Sequence, residues 1–370
     1  MENFKQLGIH PDFIKGLNEL GITTPTPIQA EAIPLLLNNK TDLVAQAQTG
    51  TGKTAAYGLP LLQSIDAKQK VIQGLILCPT RELGQQIAKQ LFKFTKYSDK
   101  IFTEAVYGGQ PIDIQIGALK RPTHIVVATP GRLIELVKRK AVDLRKVKTI
   151  ILDEADEMLS MGFKKELDEI LGFLHSAEQK WLFSATMPLG IKQIVDDHLN
   201  EDAHRIEVSG SNTVNKNIDH QYVICDEKEK LQMLLQFLKT QHKNRGIVFC
   251  KTKVAAQTLV KQLIAKNIVA DAIHGDLLQK ERDKAMRAFK NETVQLLVAT
   301  DIAARGIDVE GLSYVVHYQL PDQIEYYTHR SGRTARAGKR GLSLSIVTSY
   351  EMKQIRYLEK NLNISFSQAR

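Results

Sequence analysis

The segment Ala47–Thr54 reads A-Q-T-G-T-G-K-T and follows a short apolar run, Asp42–Ala45. Gly50 and Gly52 let the backbone curl until successive N–H groups face one anion, and a helix beginning near Lys53 adds the positive end of its dipole. In such a loop the Lys53 ammonium reaches terminal phosphates and the Thr54 hydroxyl is placed to ligate Mg2+. The strict phosphate-loop pattern has glycine at 47, where this chain has Ala47. A second apolar run, Thr149–Leu152, ends in D-E-A-D, Asp153 to Asp156. A carboxylate at a strand end beside a phosphate loop can hold Mg2+, directly or through water, and the next can orient and deprotonate an attacking water. Asp153 is assigned to the metal and Glu154 to the water. Alone, these four residues are a weak signal, since they also fit an acidic helix start favoured by the dipole. Joined to the phosphate loop they describe a nucleotide hydrolase.

A third constellation is H-R-S-G-R-T-A-R, His329 to Arg336. It sets Arg330, Arg333 and Arg336 three residues apart, a spacing that on one helix directs them to neighbouring parts of a face. An arginine finger reaching a γ-phosphate is worth roughly 10³–10⁵ in rate. The same spacing fits a solvated basic helix or a contact to a nucleic-acid backbone, and spacing alone does not choose.

These residues need a frame. Apolar runs recur at Asp42–Ala45, Gly74–Cys78, His124–Ala128, Thr149–Leu152 and Trp181–Phe183, with amphipathic stretches such as Glu82–Lys96 between them. Continuous apolar strands alternating with helices predict a parallel sheet covered on both faces. The polar, turn-prone stretch 208–217 breaks the pattern. The alternation then restarts at Tyr222–Ile224, Ile247–Phe249, Leu296–Ala299, Tyr314–His317 and Leu342–Val347. The expectation is an α/β chain of two domains, 1–207 and 218–370, joined by a linker over 208–217. Ligands of open α/β sheets bind at the carboxyl ends of strands, and the motifs above directly follow the apolar runs.

The chain has 370 residues, of which 43% are hydrophobic and 25% charged. That composition excludes a collagen, a low-complexity chain and a disulfide-rich miniprotein. Cys78, Cys225 and Cys250 are scattered among apolar neighbours and read as buried thiols. The polar start lacks a secretory apolar region, and no apolar run approaches the ~18 residues of a membrane span, so a cytoplasmic protein without a membrane partner is expected. The net charge is +9. Residues 208–370 hold 25 Lys+Arg against 16 Asp+Glu, so the whole excess lies in the second part. A basic half fits a polyanionic partner or a solubility charge equally.

Taken in chain order, the motifs resemble those of the DEAD-box ATP-dependent RNA helicases of superfamily 2, over nearly the whole length. Phe4 with G-I-T-T-P-T-P-I-Q (Gly21–Gln29) is similar to the family's Q motif. The phosphate loop, P-T-R-E-L (Pro79–Leu83), Gly108-Gly109, T-P-G-R (Thr129–Arg132), D-E-A-D and S-A-T (Ser184–Thr186) follow. The second part gives I-V-F-C (Ile247–Cys250), H-G-D with Q-K-E-R (Gln279–Arg282), A-T-D-I-A-A-R-G-I-D (Ala299–Asp308) and the arginine motif.

The resemblance implies two tandem RecA-like domains, ATP and Mg2+ as cofactors, and RNA, single-stranded or locally duplex, as partner. It implies that Gln29 reads the adenine edge, with Phe4 packing nearby, although this chain has Ile22 where many relatives place an aromatic. It assigns Ala47, Gln48, Thr49, Gly50, Thr51, Gly52, Lys53 and Thr54 to the phosphates, Asp308 to the ribose hydroxyls, and Arg333 and Arg336 to the fingers. Ser184, Ala185, Thr186 and His329 would couple the γ-phosphate to domain closure, although Ser184 and Thr186 fit ordinary strand-end hydroxyls equally. On the RNA side it assigns Pro79, Thr80, Arg81, Gly108, Gly109, Thr129, Pro130, Gly131 and Arg132 in the first domain. Gln279, Arg282, Thr300 and Asp301 take that part in the second, with Cys250 and Lys251 beside them. Arg81, Arg132 and Arg282 would pair with phosphates, and Thr80, Thr129 and Thr300 also suit helix N-caps. The expected activity is local separation of short duplexes by a monomeric core, with ATP hydrolysis releasing the RNA. The alternative is an ATP-gated RNA clamp within a larger assembly.

Overall fold

A computed structural model describes residues 3–48, 50–174, 177–208, 215–242, 244–304, 312–335 and 339–369. Thr49, Asp308 and Arg336, along with most of the expected linker, lie outside the described residues. The chain divides into two compact units, Met1–Ser211 and Asn212–Arg370.

Unit 1 holds seven strands: β1 Leu43–Gln46, β2 Gly74–Leu77, β3 Thr103–Val106, β4 Ile125–Ala128, β5 Thr149–Asp153, β6 Gln179–Ser184 and β7 His204–Glu207. Unit 2 holds β8 Ile218–Ile224, β9 Gly246–Phe249, β10 Ala270–Ile273, β11 Leu296–Ala299, β12 Tyr314–His317, β13 Gly341–Val347 and β14 Phe366–Gln368. The first sheet runs β3-β4-β2-β5-β6-β1-β7 and the second β10-β11-β9-β12-β13-β8-β14, with every pair parallel. Each unit is therefore a parallel sheet with helical crossovers, as the apolar runs required.

Strand residues alternate between two cores. In unit 1, Leu43, Ala45, Ile76, Ile151, Trp181 and Phe183 face one cluster, while Val44, Leu75, Leu77, Ile150, Leu152 and Leu182 face the other. Unit 2 divides likewise, with Val248, Val298 and Val316 on one face and Ile247, Leu297 and Val315 on the other. Burial on both faces explains why the central strands are unbroken apolar runs.

Four strands were not visible in those runs: β3, β7, β10 and β14. They are the two edges of each sheet. Their sequences, T-E-A-V, H-R-I-E, A-D-A-I and F-S-Q, mix polar and apolar residues because an edge is only partly covered. All three cysteines are buried and free. Among the described residues no helix is long and apolar enough to cross a membrane.

Candidate functional site

The sequence A-Q-T-G-T-G-K-T forms the turn between β1 and the helix Lys53–Ser64. Gly52 caps that helix at φ +90°, and Gly50 has φ +83°. A β-carbon on Gly52 would meet the Gln29 amide nitrogen at 2.3 Å, so glycine is needed here for space as well as for backbone. Ala47 is not among the residues with positive φ, so alanine fits where the strict pattern has glycine. The Ala47 N–H donates to the Ser184 carbonyl at 2.9 Å.

Lys53 is buried, and its ammonium donates to the Ala47 carbonyl at 2.9 Å. Gln29, also buried, clasps the loop: its amide nitrogen donates to the Gly52 carbonyl at 3.0 Å, and its oxygen accepts from the Thr26 N–H at 3.0 Å. Phe4 sits in the apolar core of this side of the sheet, and Ile22 packs against it.

β5 delivers the D-E-A-D residues. Asp153 is 3% exposed. Its Oδ1 accepts from the Glu154 N–H at 3.0 Å and its Oδ2 from the Tyr57 hydroxyl at 2.7 Å. Burial raises its pKa, opposed by the Lys53 charge and these two hydrogen bonds. Glu154 adopts the left-handed backbone, φ +51° and ψ +51°, before the helix Ala155–Ser160. That conformation costs a residue other than glycine roughly 1–3 kcal/mol and recurs at functional turns.

Asp156 had no role assigned from sequence. Its Oδ2 accepts from both the Thr186 N–H, at 2.9 Å, and the Thr186 hydroxyl, at 2.8 Å. The Ser184 hydroxyl donates to the Thr186 carbonyl at 2.7 Å and accepts from the Asp156 N–H at 3.3 Å. Ala185 offers its carbonyl to the Gln46 amide. The S-A-T hydroxyls are thus built into a network rather than left at a bare strand end.

On the other strand ends of unit 1, Cys78 and Pro79 lead from β2 to Thr80. Thr80 caps the helix Arg81–Phe94, its hydroxyl accepting from the Leu83 N–H at 3.3 Å. The Arg81 guanidinium lies 4.7 Å over the Tyr107 ring. Thr129 is the N-cap residue of the helix Pro130–Lys138, without a side-chain cap bond. Gly108 and Gly109 turn after β3, and Gly109 has φ +84°. A β-carbon on Gly108 or Gly131 would meet no atom within 4 Å, so both backbones are open to approach.

Arg132, expected to pair with a phosphate, has internal partners in this structure. Its two terminal nitrogens donate to the Gln110 carbonyl at 3.0 Å, one also reaches Gln115 at 2.9 Å, and Nε pairs with Glu135 at 3.2 Å. The guanidinium here holds the glycine turn, a contact that motif spacing could not reveal because Gln110 and Gln115 lie outside the motif.

In unit 2, Gln279 opens the helix Gln279–Lys290 and donates to Asp283 at 2.8 Å. Arg282 reaches the Ala303 carbonyl at 2.7 Å. Thr300 follows β11 and precedes the short helix Asp301–Ala304. Lys251, Lys253, Gly275, Thr300, Asp301 and Tyr326 line an open cavity of 410 Å³.

Asp301, expected on the RNA side, also has an internal partner. Its carboxylate is taken by Arg330 through two bonds, that from Nη2 at 2.7 Å. Arg330 itself is 2% exposed, donates to the Gln319 carbonyl at 2.7 Å and lies 5.1 Å over the Phe249 ring. Of the three arginines, Arg330 and Arg333 do not share one helix, and Arg336 lies outside the described residues. The helix Ile324–Ser331 ends at its Gly332 cap, leaving Arg330 buried in the helix and Arg333 in the turn beyond it. There the Arg333 Nε donates to the His329 carbonyl at 3.3 Å. Ala335, at φ +55°, offers its carbonyl to the Asn215 amide at 2.8 Å.

Residues 26–194 match the family model for DEAD/DEAH box helicases, and residues 229–338 match the helicase conserved C-terminal domain. The chain is 42% identical over 360 residues to the DEAD-box ATP-dependent RNA helicase CshA of Bacillus cereus, covering 97% of this chain and 68% of the relative. It is 40% identical to RhpA of Helicobacter pylori, covering 98% of this chain and 73% of that protein. Saccharomyces cerevisiae Dbp5, solved with RNA and ADP BeF3, superposes with a TM-score of 0.90 at 29% identity, over 100% of this chain and 96% of the other. Two RecA-like units, one with a phosphate loop beside D-E-A-D, define a helicase-type ATPase. The chain belongs to the DEAD-box ATP-dependent RNA helicases. It is an enzyme that couples ATP hydrolysis to work on RNA.

Proposed function

We propose that this helicase works by closure. ATP and single-stranded RNA each bind both units, so each tightens the other. A closed site that fits a bent single strand rejects an A-form duplex and separates short duplexes locally, and hydrolysis then reopens the site and releases RNA.

In this reading Lys53 exchanges the Ala47 carbonyl for the terminal phosphates, a stronger charge-assisted bond. The loop backbone from Ala47 through Gln48, Thr49, Gly50, Thr51 and Gly52 lines the same phosphates. Gln29 keeps one N–H and one lone pair beyond its two loop bonds, the complement of adenine N6 and N7. Asp308 and Arg336 take the ribose and finger roles on sequence order alone. Arg333 acts as a finger, and Glu154 holds and deprotonates the attacking water.

The donors here fit Mg2+. Each Asp153 oxygen retains a lone pair beyond its existing bond, and Thr54 adds a hydroxyl oxygen on the first helical turn. Mg2+ characteristically takes one or two carboxylates with substrate phosphates. When bound it would draw charge from the phosphate oxygens.

RNA phosphates meet the open backbones at Gly108 and Gly131, together with Pro79, Thr80, Arg81, Gly109, Thr129, Pro130, Gln279, Arg282 and Thr300. Arg132 and Asp301 belong to the same RNA set, and Arg132 also fixes the glycine turn while Asp301 anchors Arg330. His329 joins Ser184, Ala185 and Thr186 in coupling.

One observation carries the reading: the phosphate loop, Asp156, Ser184 and Thr186 form a single hydrogen-bonded chain, through which a phosphate can bias the rest of the unit. The test is RNA affinity without nucleotide, with ADP, and with a non-hydrolysable ATP analogue. The analogue should tighten RNA binding by ~10-fold or more, within the usual range of coupling. Equal affinities in all three conditions would remove the closure mechanism.

A further inference from the structure

Tyr57 follows Lys53 by four residues, one helical turn along, and so shares its face. It is fully buried, and its ring packs against Phe183 with centroids 5.1 Å apart at 59°. A phenylalanine would fill that ring space equally well. The hydroxyl adds one thing: it donates to the Asp153 Oδ2 at 2.7 Å.

The Asp153 carboxylate is consequently pinned from two elements. The Glu154 N–H holds Oδ1 from the strand end, and the Tyr57 hydroxyl holds Oδ2 from the phosphate-loop helix. Neither bond uses all the lone pairs of its oxygen. Without the phenol, a buried carboxylate would lose a donor and be free to turn toward the Lys53 ammonium, whose charge already acts on it.

We infer that Tyr57 is a positioning residue for the divalent cation, holding Asp153 in the arrangement that receives the metal together with the nucleotide. The inference rests on the assignment of Asp153 and Thr54 to Mg2+ made above. Outer partners that orient a metal ligand typically contribute 10–100-fold to metal affinity.

The test uses the full chain and equilibrium binding of ADP, first in EDTA and then across a Mg2+ titration. Tyr57→Phe should raise the Mg2+ concentration for half-maximal tightening of ADP by ~10-fold or more, while its affinity for ADP in EDTA stays within about twofold of wild type. Asp153→Asn should lose the Mg2+ dependence altogether. A Tyr57→Phe protein whose Mg2+ midpoint is unchanged or lower overturns the inference and leaves the metal assignment standing. An equal loss of ADP affinity with and without Mg2+ also overturns it, since that is the mark of a packing role. If Asp153→Asn keeps the full Mg2+ dependence, the metal assignment itself fails and takes the inference with it.

Discussion

Units 1 and 2 thread seven strands in the same order, and their ladders allow a comparison position by position. Gly74 pairs with Ile125 and Thr149 in the first sheet, as Gly246 pairs with Leu296 and Tyr314 in the second. At one set of strand ends the two units match. Cys78, Thr80 and Thr129 fall opposite Cys250, Thr252 and Thr300. Thr80 and Thr252 each cap the next helix by accepting from an N–H three residues on. At the other set they diverge. Unit 1 has the phosphate loop after β1 and Asp153 at the end of β5. Unit 2 has Cys225 after β8 and Tyr318 in the place of Asp153, with His317 buried just before it. The shared ends are those assigned to RNA, a repetitive backbone that two similar surfaces can follow. The differing ends are those assigned to ATP, for which the proposed mechanism takes the phosphate loop from unit 1 and Arg333 from unit 2.

The sharpest way to break this division is Arg333→Ala. It should lower RNA-stimulated kcat by ~10³–10⁵, the usual worth of an arginine finger, with ATP affinity nearly intact. A loss below tenfold in steady-state ATPase would place the finger elsewhere. Glu154→Gln in the other unit should lower turnover by ~10²–10⁴ and keep both ligands bound. RNA release measured after ATP addition checks this, and normal release would remove the water assignment.

Acid should separate the units next. Burial pushes the His220 imidazole down to about 4 and His317 further in the same direction. Both stay neutral in the fold and charge only on unfolding, so unfolding takes up protons as the pH falls below about 6.5. This part of the stability is intact above that pH. It should be lost on the way to pH 4, by roughly 3 kcal/mol for His220 alone. Among the described residues of unit 1, His124 is the one imidazole that burial also lowers. Hydrogen exchange at pH 7.5 and pH 5 should show protection falling more in β12 and β13 than in β5 and β6.

The smallest effect tests the likeness. Thr80→Ala and Thr252→Ala should each cost about 1 kcal/mol, the ordinary worth of a cap. Urea unfolding should give similar losses, and only Thr80→Ala, at a residue assigned to RNA, should also weaken RNA binding.

Much of this frame was legible in the sequence because central strands are buried on both faces and must be apolar throughout. Leu296–Ala299 and Tyr314–His317 match their strands end to end. The edge strands were not legible, because partial cover leaves no such run. At the site, motif order located Lys53, Asp153 and Glu154. It did not show that Arg132 and Asp301 are bound internally, since their partners Gln110, Gln115 and Arg330 are set by the fold. Asp156 is hidden among equivalent acids, and no motif spacing marks Tyr57 within its apolar helix.

Trp181 is the chain's single tryptophan. It lies 1% exposed in β6, three residues before Ser184, with its indole N–H on the Thr41 carbonyl at 3.3 Å. Its fluorescence is therefore a built-in gauge of unit 1 alone. Excited selectively, the unlabelled protein reports when the ATP-binding half melts or strains, while the other half stays optically silent.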